Sequence, residues 1–198
     1  ISFLTVFIWW LGFSQITFSR LPKYTFRKRI RRESVLTNGY RELRVVFKQI
    51  RKSFKLSMYL TGFFFMMMGL LTTMFMAATY GEKEMGLKED VLIPTILVIQ
   101  LVGMLGAWMF ARISEKLGNL RALMLTIVAW TLICIGAYFI SNALQFVTAA
   151  FFIGIVMGGS QSLARSTYSK MLPRDTTDHT SFFSFYDVME KLATVAGT

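Results

Sequence analysis

Apolar residues in this chain come in long runs, and polar residues cluster between them. Six segments are almost wholly apolar: Ile1–Phe18, Leu56–Tyr80, Val91–Ala111, Ala122–Ile140, Leu144–Ala164 and Ser181–Thr198. Crossing the hydrocarbon core of a bilayer takes about 20 such residues in a helix rising 1.5 Å per residue. The runs do not alternate in the way a transmembrane β-strand would, as Phe63-Phe64-Phe65-Met66-Met67-Met68 makes plain. A helix also satisfies its own backbone in lipid, where an open sheet edge cannot. The pattern predicts an all-α, polytopic transmembrane helix bundle. The first run reads poorly as a secretory signal, since residues 1–18 have no charged n-region and no small-residue cleavage site follows. The chain begins at Ile1 and ends at Gly197-Thr198 inside an apolar pattern, so it reads as a piece truncated at both ends.

Between the first two runs the pattern changes. In residues 19–55, Pro22 stops the first run and Arg27-Lys28-Arg29-Ile30-Arg31-Arg32 follows. Asn38 is a fitting N-cap for a helix in which Leu43, Val46, Phe47, Ile50 and Phe54 share one face, with Arg41, Arg44, Lys48, Arg51 and Lys52 on the rest. This predicts an amphipathic helix lying on an anionic inner leaflet.

Composition sharpens both points. Hydrophobic residues make up 54% of the 198 and charged residues 17%, against about 25% charged in a soluble domain; disorder is excluded as well. The net charge is +11. Residues 19–55 hold 13 Lys and Arg against Glu33 and Glu42, which accounts for the whole excess. A nucleic-acid surface is therefore a poor reading: the charge is tethered at the bilayer and has few aromatic partners for stacking. Its better use is orientation. Residues 19–55, 112–121 and 165–180 hold 19 basic residues, against two, Lys83 and Lys88, in the loops of the other side. The positive-inside rule puts the first set in the cytoplasm.

Candidate chemistry is sparse. One cysteine, Cys134, and one histidine, His179, cannot form a metal-ligand or catalytic cluster, so no cofactor, no metal and no enzyme activity is expected. The consecutive methionines point around a helix and cannot converge on a copper ion; Cys134 reads as a small core residue, and Trp9 and Trp10 as packing against neighbouring helices. Charges inside a membrane span are usually functional. The last run holds three: Asp187, Glu190 and Lys191. Asp187 and Lys191 are four apart and face each other along a helix. Lys191 lies ten residues, roughly 15 Å, beyond Ser181, near the depth at which transporters bind solutes. The pair lines a polar cavity or forms an interfacial salt bridge. Gln100 and Gln161 are the other candidates for a substrate or coupling-ion cavity. Gly154, Gly158 and Gly159 let helix backbones approach, as a packing seam or a hinge. Arg165, at the end of its run, reads as a snorkelling cation.

Arg112-Ile113-Ser114-Glu115-Lys116-Leu117-Gly118-Asn119-Leu120-Arg121 resembles the cytoplasmic signature of the major facilitator superfamily, with Ala111 in place of its first glycine and Asn119 in place of its middle arginine. Gly158-Gly159-Ser160-Gln161-Ser162-Leu163-Ala164-Arg165-Ser166, Leu172-Pro173, and Phe182-Phe183-Ser184-Phe185-Tyr186-Asp187-Val188 with Lys191 resemble one branch of it, as do Trp9-Trp10 and Ala77-Ala78-Thr79-Tyr80-Gly81. That branch is the autophagy-related vacuolar amino-acid effluxers and their bacterial relatives. The resemblance implies helices six to eleven of twelve: residues 1–18 as helix six, 19–55 as the central cytoplasmic loop, and 56–198 as most of the C-terminal bundle. The missing N-terminal half of the same protein is then a partner, supplying half of any cavity. Arg112, Glu115, Gly118 and Arg121 would form a cytoplasmic latch. The implied activity is secondary transport of a small solute, with amino acids as the class, in a bacterial inner membrane. Where the branch has Asp-Gly-Val-Gln-Thr in its seventh helix, this chain has Met68-Gly69-Leu70-Leu71-Thr72, so that carboxylate is lost. The loss favours the alternative, a non-transporting scaffold or sensor whose basic loop docks a partner.

Overall fold

The computed structural model describes residues 2–20, 35–173 and 179–197. They form seven helices and no strand: α1 (Ser2–Arg20), α2 (Val35–Lys52), α3 (Phe54–Lys83), α4 (Glu89–Leu117), α5 (Asn119–Ala137), α6 (Ala143–Met171) and α7 (His179–Gly197). The all-α architecture is as expected. Pro22 and the basic run 27–32 lie outside the described residues. The chain divides into two units, Ile1–Val35 and Leu36–Thr198. In the first, α1 carries Trp9 with its ring 4.5 Å from that of Phe13.

In the second unit α3, α4, α5 and α6 are long and apolar enough to cross a membrane. Their outward faces leave Leu101, Met104 and Trp108 of α4 and Val128, Leu132 and Ile135 of α5 exposed, which suits lipid and not water. Cys134 is exposed among them and not in the core. The helices also run past the apolar segments. α6 has 29 residues, about 44 Å of helix against roughly 30 Å of hydrocarbon, so its last turns stand clear of the core. The polar stretch at 112–121 is barely a loop. α4 continues to Leu117 and α5 starts at Asn119, leaving Gly118 alone at the corner with φ +86°, a conformation that suits only glycine well.

Helix packing falls into two groups. α4, α5 and α6 pack together, and α3 pairs with α7. The α4–α6 contact is backbone on backbone. A methyl group at Gly158 would overlap the carbonyl of Gly103, one at Gly106 would overlap the carbonyl of Ile155, and one at Gly154 would come within 2.8 Å of the Ile99 carbonyl oxygen. Gly159 fits under the ring of Phe110. These glycines therefore form the seam between α4 and α6. The groups meet in a core built on Leu56, Leu60, Phe63 and Met67 of α3, Leu163, Ala164 and Tyr168 of α6, and Phe182, Tyr186 and Ala193 of α7.

α2 begins at Val35, a turn before the expected cap at Asn38. Asn inside a helix costs only a few tenths of a kcal/mol, and packing of the apolar face outweighs it. That face is not all free for lipid: Val46 and Ile50 are buried in the core, and Phe47 lies 6.1 Å from the ring of Phe185 on α7. The hydroxyl of Ser181 donates to Glu42 at 3.4 Å.

Candidate functional site

The sequence of α6 from Gln161 to Ser169 repeats polar residues at helical spacing. Gln161, Arg165 and Ser169 stand four apart, and Ser162 and Ser166 run alongside, so all five share one face. On α7, Phe183, Tyr186 and Glu190 do the same. The two faces, with Met67 of α3, line a cleft of about 590 Å³.

Arg165 dominates this cleft. Its guanidinium carbon lies 5.5 Å from the ring centre of Phe183 and 5.9 Å from that of Tyr186, within reach of a cation–π attraction. Its Nη2 is 3.5 Å from Oδ1 of Asp187, with the two side chains 56% and 50% exposed. The guanidinium is thus held against two rings and one carboxylate, with donors left over.

The rings are themselves fixed. Tyr186 stacks on Phe63 at 4.3 Å and lies 5.0 Å from Tyr168, whose ring meets Phe183 edge-on at 5.7 Å. The buried Tyr168 hydroxyl donates to the carbonyl of Phe182 at 2.8 Å, and that of Tyr59 donates to the carbonyl of Ala164 at 2.7 Å. In this way α3, α6 and α7 lock together behind the cleft and present Arg165 on a stiff wall. A guanidinium with free donors suits a carboxylate or phosphate. Glu190 suits an ammonium, and Gln161 with the three serines can donate or accept.

Of the five cavity candidates, Gln161 and Glu190 line this cleft and Asp187 joins it through Arg165. Gln100 is exposed on α4 and Lys191 is exposed on α7, both outside the lining. The helical spacing of Asp187 and Lys191 does not make them partners, because Arg165 is the nearer cation and reaches Asp187 from the facing helix. Arg165 therefore points into the cleft and does more than snorkel. Its four-residue spacing from Gln161 and Ser169 was the available signal.

At the α4–α5 corner, Arg112 lies over the ring of Trp108 at 4.9 Å. Glu115 and Arg121 are exposed, and among the described residues they form no ion pair with each other. The corner is tied down by Asn119 instead. Its amide donates to the hydroxyl of Ser166 at 2.9 Å, and its carbonyl oxygen accepts from Lys170 at 2.9 Å. Asn119, one of the two departures from the superfamily pattern, thus reaches a serine of the cleft.

Comparison with known proteins places these features. The chain is 27% identical over its whole length to the uncharacterized MFS-type transporter YxiO of Bacillus subtilis (strain 168), covering 45% of that protein. It is 25% identical over 177 residues to autophagy-related protein 22 of Yarrowia lipolytica (strain CLIB 122 / E 150), covering 83% of this chain and 29% of that one. The chain therefore spans less than half the length of these relatives. No solved structure matches. The model of the family described as vacuole effluxer Atg22 like matches residues 1–198. With four helices fit to cross a membrane and this match along its full extent, the chain is part of an integral, multi-pass membrane protein and belongs to the Atg22-like vacuole effluxer family.

Proposed function

We propose that this chain supplies part of a secondary active transporter that moves a small solute across the cytoplasmic membrane of a bacterium by alternating access, with the cleft between α6 and α7 holding the charged part of the solute. The observation that carries this reading is Arg165, a cation kept against two rings and facing a cavity beside Glu190 and Gln161. A zwitterion fits such a set, its carboxylate on the guanidinium and its ammonium near Glu190. Amino acids are the solute class this supports, in keeping with the effluxer family. Two helix bundles rocking about the cleft would expose it to alternate sides, the second bundle coming from the rest of the protein. The basic stretches put residues 19–55, 112–121 and 165–180 in the cytoplasm, so the cleft opens inward.

Reconstituting the full-length protein in liposomes and following labelled amino acids, with and without a proton gradient, tests this directly. Flux that Arg165→Gln lowers at least tenfold, with folding intact, is the expected result. Absence of flux for every amino acid from a well-folded preparation would sink the transporter reading. Met68, in place of the acidic residue of the resembled branch, is the one observation favouring a non-transporting scaffold. Sidedness is checked by an impermeant thiol reagent on Lys88→Cys and Lys116→Cys in a Cys134→Ala background. The first should react from outside and the second only from inside.

A further inference from the structure

The apolar face of α2 is occupied by protein, and this changes what its charged face can do. At 100° per residue, Val46 and Ile50 mark the centre of the docked side. Arg44, Lys48, Arg51 and Lys52 fall within roughly a 100° arc directly opposite. All four are exposed, and no acidic side chain shares that arc. Glu42 is turned the other way, toward Ser181 on α7. A free amphipathic helix would bind a bilayer by sinking its apolar face among the acyl chains. α2 cannot do so while Val46 and Ile50 are in the core.

The placement of α2 leaves charge as its means of contact. Only Ser53, with extended backbone, separates it from α3, a helix able to cross the membrane. Arg51, Lys52 and Lys55 flank that junction, which fixes them at headgroup depth. Tyr40 and Phe47, 72% and 46% exposed, border the basic arc, and aromatic rings suit the same interfacial layer.

We propose that the basic face of α2 is a binding surface for anionic phospholipid headgroups of the cytoplasmic leaflet, engaged through charge and without insertion of the helix. Each cation contributes independently, so lipid contact falls stepwise as charges are removed. The docked face stays on α7 throughout. The proposal rests on the cytoplasmic placement of α2 given above, but not on what the protein carries.

The test uses the full-length protein in lipid nanodiscs, with Val45→Cys, beside the basic arc, carrying a fluorophore in a Cys134→Ala background. Discs of phosphatidylcholine are compared with discs containing phosphatidylglycerol. In the anionic discs the label should be shielded from a water-soluble quencher. About 0.5 M salt should abolish the shielding, since it shrinks the screening length to a few ångströms. Neutralising Arg44, Lys48, Arg51 and Lys52 to Gln one by one should lower the ratio of shielded to accessible label about fivefold per charge. Replacing the two arginines by lysine should preserve it. Equal shielding in neutral and anionic discs would overturn the proposal. So would shielding that survives salt, or quenching by brominated acyl chains, each of which would mean insertion. Shielding seen in native membranes but not in anionic discs would assign the face to an acidic protein partner instead. Discs expose both faces, so the lipid result is independent of sidedness. A label at position 45 reached from outside sealed, right-side-out vesicles would overturn the cytoplasmic placement separately.

Discussion

Arg165 and Asp187 pair across the α6–α7 cleft at 3.5 Å with about half of each side chain open to solvent. A pair so exposed contributes about 0–1 kcal/mol to stability, so it does little to hold the helices together. Its consequence is orientation: Asp187 steadies a guanidinium that the rings of Phe183 and Tyr186 already support. Asp187→Asn is expected to leave thermal stability within about 1 kcal/mol of wild type while weakening solute transport. Arg165→Lys keeps the charge and loses the planar fork and much of the stacking, so transport should fall between wild type and Arg165→Gln. A destabilisation by Asp187→Asn well beyond 1 kcal/mol would show that the pair is structural.

Tyr168 carries the stability that the ion pair does not. Its side chain is fully buried and its hydroxyl donates to the Phe182 carbonyl, which as part of α7 also accepts the helix's own backbone bond. Tyr168→Phe keeps the ring and loses that second hydrogen bond, at a cost of about 0.5–1.5 kcal/mol. Thermal unfolding of purified protein should show the loss. Tyr138→Phe serves as a control, since Tyr138 is 87% exposed, and should change nothing.

The glycine seam makes a sharper prediction. Gly158→Val places branched carbon where the Gly103 backbone lies, and overpacking of this kind costs about 1–3 kcal/mol or more. Gly136→Ala on α5 has nothing within 4 Å of the added methyl, so it should be neutral or slightly stabilising. Equal melting of the two variants would mean that α4 and α6 are farther apart than the structure has them.

Asn119 predicts a reversal of the expectation from resemblance. Arginine is the superfamily residue at this point of the signature. Here, Asn119→Arg would remove the acceptor of Lys170 and set two cations side by side. It should loosen the corner more than Asn119→Ala does, as read by proteolysis or hydrogen exchange over Leu117–Arg121. A tighter corner in Asn119→Arg would restore the resembled latch to Glu115.

Much of this was legible along the chain. Unbroken apolar runs such as Val91–Ala111 fix helices because lipid permits few other ways to pair the backbone. Gly154 and Gly158 announced a close approach, but not to which helix; their counterparts Gly103 and Gly106 are only three apart and carry little signal alone. The cleft was half visible. Charge inside a run drew attention to Asp187, Glu190 and Lys191, yet spacing on one helix cannot say which facing helix supplies the counter-charge. Arg165 carries little signal in the sequence, because snorkelling alone explains a cation at the end of a span. The amphipathic pattern of α2 was plain, but a sequence cannot tell an apolar face turned to lipid from one turned to protein, as Val46 and Ile50 are.

The seam between α4 and α6 has a further consequence. Where two helices touch through bare backbone, no side chains remain to change rotamer, and the contact cannot slide without collision. It acts as a splint that makes α4, α5 and α6 move as one block. The α3–α7 pair meets that block through rings and the hydroxyls of Tyr59 and Tyr168. The boundary between block and pair runs through the cleft at Arg165, so any change in how the two fit together would be felt first by whatever that arginine holds.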